Sequence, residues 1–222
     1  METGKTGKYF RYAIGEIVLV VIGILIALQL NSWKEEVNAK EALKASMNLM
    51  MDDLKQDIVF YDYEINRTKN RVSFLNNFTQ GNYSEINIEE VPDVLAFNLP
   101  NKNYGRTYIS LKEDRLFNMI ENKGLKKNIT DYYEVTCEEY SELANWHRKL
   151  VIETIENYLL LNLPYKKGYV VNEKDVINDL ENGKLRSLSN YQIAVQTDAI
   201  QLLQNNKILA EEMILFINSE FN

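Results

Sequence analysis

From Ala13 to Leu30 the chain runs for 18 residues through Ile, Val, Leu, Ala and Gly, interrupted only by Glu16 and Gln29. As a helix rising 1.5 Å per residue this stretch is about 27 Å long, close to the roughly 30 Å hydrocarbon core of a bilayer. Tyr9, Phe10 and Tyr12 flank one end and Trp33 the other. From Tyr12 to Trp33 the rise is roughly 31 Å, which suits aromatic residues seated at the two membrane interfaces. The rival reading is a cleaved signal peptide with its apolar core at Ile17–Leu28. Ala27-Leu28-Gln29 offers no small-x-small cleavage site, and a carboxylate is not expected in a signal peptide's leading region. The sequence therefore predicts a retained anchor.

Lys5, Lys8 and Arg11 precede the span against a single acid, Glu2. The positive-inside rule then places the N-terminus in the cytoplasm and everything after Trp33 outside it, in the periplasm of a cell whose inner membrane carries the protein. The expected organisation is a short cytoplasmic segment (residues 1–12), a transmembrane helix (13–32) and an extracytoplasmic helical domain (33–222).

The formal net charge is -7 and the chain is acidic from Asn31 onward, which disfavours a nucleic-acid partner. One cysteine, Cys137, cannot form an internal disulfide, so packing must hold the fold. Gly and Pro are scarce, which points to helices.

The stretch KYFRYAIGEIVLVVIGILIALQLNSWKEE, starting at Lys8, resembles the opening of an uncharacterised family of single-span membrane proteins common in flavobacteria and their relatives. A second similarity lies at SLKEDRLFNMIENKGLKKNITDYYE, where that family tends to show a short helix, a Gly turn and a helix with a paired Tyr. The resemblance implies topology and lineage, and carries no activity with it.

Past the membrane, Trp33–Phe78 contains neither Pro nor Gly and reads as one long helix. Met47, Met50, Met51, Leu54, Ile58, Tyr61, Ile65, Val72 and Leu75 recur at threes and fours on one face. Leu49, Val59, Phe60, Tyr63, Phe74 and Phe78 fall on the opposite face, to be covered by the bundle or by a second partner. A connector follows, with a short helix expected around Ile88–Phe97. Ser110-Leu111-Lys112-Glu113 fits a capping box opening a helix to about Asn122, with a turn at Lys123-Gly124. A long helix is expected over Leu125–Asn162, its inner stripe including Tyr132, Tyr133, Tyr140, His147 and Thr154. Asn172 caps a short helix at Glu173–Glu181, and Ser189–Phe221 forms the last long helix. Tyr169-Val170-Val171 is the only candidate strand, with nothing to pair with. The predicted fold is all-α: one N-terminal transmembrane helix followed by an extracytoplasmic bundle of long helices with short connecting helices.

Little in the sequence carries chemistry. His147 has no acid at a favourable helical spacing and reads as structural. One His and one Cys cannot build a structural zinc site within a chain. No phosphate-binding glycine loop or nucleophile elbow is present. These features predict a non-enzymatic protein without a cofactor, a scaffold or subunit of a membrane assembly. The alternative is an extracytoplasmic sensor or ligand-binding module that signals through a partner.

Glu16 and Gln29 remain to be explained, and Glu16 falls in a pattern. At 100° per residue Glu16, Gly23, Ala27 and Lys34 lie within about 20° of one line, with Val20 beside it. Gly23-x-x-x-Ala27 is a small-residue pair of the kind that lets helix backbones approach closely. The stripe is predicted to dock against another transmembrane helix, from a second copy or a different subunit. The competing reading is that Glu16, near the interface, snorkels to the headgroups.

Overall fold

The computed structural model describes residues 4–163 and 172–221, with side chains from Ile14 onward. The interfacial expectation for Tyr9, Phe10 and Tyr12 concerns side chains outside those described, and the candidate strand at Tyr169-Val170-Val171 lies outside the described residues. Every described element is helical.

Helix α1 (Gly4–Gln80) is 77 residues long and unbroken, a rod of about 115 Å. The apolar span and the first bundle helix are thus one element, because no Gly or Pro interrupts the chain where the hydropathy changes. It is the one helix among the described residues long and apolar enough to cross a membrane. Burial begins at Leu43, ten residues past Trp33, or roughly 15 Å along the axis.

The connector holds a 3-10 turn (Ile88–Glu90) and α2 (Val91–Leu95), as the sequence predicts. Helix α3 (Arg106–Glu113) corrects the capping-box assignment: Gly105, at φ 80°, caps a helix whose first residue, Arg106, comes four residues before Ser110. Ser110 lies inside α3, and its hydroxyl donates to Asp114 rather than capping. Nor does the helix reach Asn122, because Arg115 turns left-handed and a 3-10 turn (Leu116–Met119) follows. The expected turn at Lys123-Gly124 is instead the first turn of α4 (Lys123–Asp131), capped by the Asn122 side chain, which accepts from the amides of Gly124 and Leu125.

α4, α5 (Cys137–Leu150) and α6 (Asn157–Asn162) form one continuous rod joined by two π-helical stretches, Tyr132–Thr136 and Val151–Glu156. Val151, Ile155 and Leu159 are fully buried at successive fours. In a regular α-helix that spacing drifts around the axis, and the wider π turn brings it back. The same widening turns Thr154, expected in the inner stripe, out to solvent. α7 (Glu173–Asn182) is capped by Asn172 as predicted. α8 (Leu185–Phe221) starts earlier than Ser189 because Asp179 caps it, accepting from the amides of Lys184 and Leu185 at 3.1 and 3.2 Å.

α8 runs antiparallel along α1. Arg186 reaches the Thr79 carbonyl at one end, Lys207 pairs with Asp62 at 2.6 Å midway, and Phe221 lies beside Leu43 at the other. The buried side of α1 is the predicted one, although Ile58 and Val72 are only half-buried. Of the opposite face, Phe78 is buried, Phe60 and Phe74 are partly covered, and Leu49, Val59 and Tyr63 are left 59–69 % exposed.

The core divides in two. A cluster nearer the apolar span runs along α1 from Leu43 to Ile65 against α4, α5 and α8. A distal cluster gathers Leu75 and Phe78 with α2, α6 and α7. Between them lies a buried polar layer of Thr68, Arg71, His147, Ser189, Gln192 and Gln196.

Candidate functional site

Two places warrant attention as sites. The first is the predicted membrane stripe. Glu16, Val20, Gly23, Ala27 and Lys34 all lie on the unbroken α1 and all are exposed. A Cβ added at Gly23 would meet nothing within 4 Å, and Trp33 is 65 % exposed at the far end of the span. The structure thus sets these residues on one line of a helix and well away from the bundle.

The second place is built by residues 99–107, which cross from the distal cluster to α3. Leu99 is buried, and the Pro100 carbonyl accepts from Tyr140 at 2.9 Å. Asn101 donates to Ser141 and Asn145, both at 3.1 Å. Lys102 pairs with Asp57 on α1, and Thr107 donates to Asp53 at 2.5 Å. Gly105 ends the loop in a left-handed conformation that glycine adopts without cost. A Cβ there would also come within 3.0 Å of the Tyr133 ring.

Beneath this loop lies a buried chain of hydroxyls. The π-helical turn places adjacent tyrosines to different uses. Tyr132 points to α1, donating to Asp57 at 3.0 Å and lying 2.8 Å from the Tyr61 hydroxyl. Tyr133 stacks on Tyr108 at 4.9 Å between ring centroids. Burial raises the Asp57 carboxyl above its ordinary range, opposed by Lys102 and Tyr132. Burial likewise pushes the thiol of the buried Cys137 up to about 12.

On the outer side of the loop a cleft of about 400 Å³ opens between Lys102–Arg106 and the wall formed by Tyr133, Cys137, Glu138 and Ser141. A smaller recess of about 180 Å³, lined by Asp53, Gln56 and Asp57, lies on the inner side and shares Lys102 and Arg106. Sequence reasoning missed Asp57, Lys102, Arg106 and Glu138. The one signal pointing here was the paired Tyr132-Tyr133 of the second family-like stretch.

His147 is wholly buried. Its Nδ1 accepts from the Leu99 amide at 3.2 Å, which leaves the ring proton on Nε2, 2.7 Å from Gln192 Oε1. Gln192 in turn donates to the Leu95 carbonyl and accepts from Gln196. Burial lowers the histidine's pKa, keeping the ring neutral. Among the described residues no cluster of His, Cys, Asp and Glu is arranged to hold a metal.

No curated protein and no solved structure matches this chain. A model of a family of unknown function, DUF6090, matches residues 16–137, more than half of the 222 residues. The match begins at Glu16 in the apolar span and ends at Cys137, just past the π-helical turn, so it takes in the loop, α3 and the paired tyrosines. The chain belongs to DUF6090, a family of unknown function.

Proposed function

We propose that this is a non-enzymatic single-pass membrane protein, a scaffold or subunit of a membrane-associated assembly. Residues 1–12 face the cytoplasm, residues 13–32 span the inner membrane, and the helical domain stands in the periplasm. The observation that carries this reading is the continuity of α1, which links an exposed apolar span rigidly to a packed core. A helix that enters the bundle without a hinge holds the domain at a fixed height and orientation, as a subunit needs. Its partners are the lipid bilayer and another transmembrane helix docked on the Glu16, Val20, Gly23, Ala27 and Lys34 stripe. The two side chains most apt for nucleophilic or general-base catalysis are occupied: both His147 ring nitrogens are bonded, and the Cys137 thiol is buried and protonated.

The test combines topology with composition. Alkaline extraction should leave the protein in the membrane, and protease added to spheroplasts should cut the bundle but spare an N-terminal tag. Purification from gently solubilised membranes should then recover a second copy or a stoichiometric membrane partner. A washed-off protein overturns the anchor, and an unaccompanied monomer overturns the scaffold reading.

A further inference from the structure

The cleft beside α3 has features that a scaffold does not need. Its volume of about 400 Å³ falls within the roughly 300–1,000 Å³ of small-molecule sites. Three observations characterise it. Arg106 and Glu138 both line it, and neither side chain makes an ion pair or hydrogen bond with a described residue. Lys102, the other cation on the wall, is already held by Asp57. The third is Tyr133: it is 8 % exposed and forms part of the wall, yet its hydroxyl finds no partner among the described residues. Buried hydroxyls are nearly always bonded, so Tyr133 holds an unfilled donor and acceptor beside the cleft.

We propose that this cleft binds a free amino acid, or an equally small zwitterion, through Arg106, Glu138 and Tyr133. One unpaired guanidinium and one unpaired carboxylate on the same cleft call for a ligand with both charges. Arg106 offers the planar fork that takes a carboxylate in two hydrogen bonds. Glu138 takes the ammonium. The Tyr133 hydroxyl both donates and accepts, so it completes the shell of either end. Tyr104 and Ile109 supply ring and aliphatic surface for the ligand's side chain. A plain anion would leave Glu138 facing it unpaired, and a plain cation would leave Arg106 so. The site stands well away from the apolar span: Asp57, which holds Lys102, is 24 residues beyond Trp33, roughly 36 Å along α1.

This inference goes beyond the scaffold reading and stands or falls separately from it. The experiment is calorimetric titration of the detergent-solubilised full chain with each standard amino acid, followed by the N-acetyl and the carboxamide derivatives of the best binder. Free amino acid should bind saturably, and each derivative should bind about tenfold or more weakly. Arg106→Gln should erase the preference for the carboxylate over the carboxamide but keep the preference for the free amine. Glu138→Gln should do the reverse. Both side chains are exposed, so neither change threatens the fold. Tyr133→Phe should weaken binding while leaving both preferences. Absence of saturable binding by any amino acid overturns the proposal, as does binding whose preferences survive both charge-neutralising changes.

Discussion

The hydroxyls of Tyr61 and Tyr132 meet at 2.8 Å in the core, and the direction of their hydrogen bond is fixed by a third residue. Tyr132 spends its one proton on Asp57, at 3.0 Å, so Tyr61 must be the donor between the two tyrosines. The order is Tyr61 to Tyr132 to Asp57, with Lys102 closing the carboxylate's shell. This sequence of donors ties α1 to the π-helical turn through side chains that are almost wholly buried.

The two tyrosines should therefore respond unequally to loss of the hydroxyl. Tyr132→Phe removes a donor from Asp57, which is 4 % exposed, and leaves Tyr61 without its acceptor. We expect a loss of about 2–3 kcal/mol. Tyr61→Phe leaves the Tyr132–Asp57 bond in place and should cost about 1 kcal/mol. Urea unfolding of the two variants checks this; equal midpoints would mean that the hydroxyls do not act in this order.

His147 predicts a pH dependence. Its folded pKa lies below the ordinary 6.5 because burial disfavours the charged ring. Above 6.5 the ring is neutral in both folded and unfolded chains, and its full contribution is present. As pH falls below 6.5 the unfolded chain takes up a proton that the folded chain refuses, so stability declines toward the folded pKa. His147→Gln should remove that part of the decline, at a cost of about 1–2 kcal/mol for the lost acceptor of the Leu99 amide. Denaturation midpoints of both proteins across mildly acidic pH measure the difference. Recovery of membrane partners should be unchanged by the substitution.

Gly183 guards the start of α8. A Cβ there would collide with Asp179 Oδ1, the oxygen that caps Lys184 and Leu185 and also accepts from Tyr158. Gly183→Ala should expel the carboxylate and weaken the first turn by about 1 kcal/mol. Hydrogen exchange should quicken at the Lys184 and Leu185 amides and hold steady near Leu203. Unchanged exchange at those amides would show that the cap moves without loss.

Much of the fold was legible because it rests on local rules. The buried face of α1 follows the threes and fours from Met47 to Leu75, and Asn172 caps α7 where the sequence places it. The failures have two causes: a deciding partner that is distant, or a local departure from the regular helix. Ser110-x-x-Glu113 has the form of a cap, but Gly105 starts the helix under the Tyr133 ring, 28 residues away. Thr154 turns outward because a π turn, invisible to a fixed 3.6-residue period, widens the rod beneath it. The partners that hold His147, Leu99 and Gln192, lie 48 and 45 residues away and could not be read from its neighbours. The cleft was hidden because its walls are distant in sequence: Arg106 and Glu138 line it together only when α3 packs beside the second rod.

The membrane stripe leads to the last prediction. Glu16, Val20, Gly23 and Ala27 lie along about 16 Å of one side of α1, and Gly23 leaves an open notch there. A neighbouring helix seated in that notch would shelter Glu16 from lipid and approach closely at Gly23 and Ala27. Single cysteines placed along residues 14–30, in a Cys137→Ser background, should cross-link most at 16, 20, 23 and 27. The products should be homodimers if the partner is a second copy and mixed species if it is another subunit. Gly23→Leu should fill the notch and depress cross-linking at 20, 23 and 27 together, and Glu16→Gln should depress it if the carboxylate is bonded across the contact. A helix that merely tethers the bundle, with Glu16 reaching the headgroups, gives a flat profile that neither substitution alters.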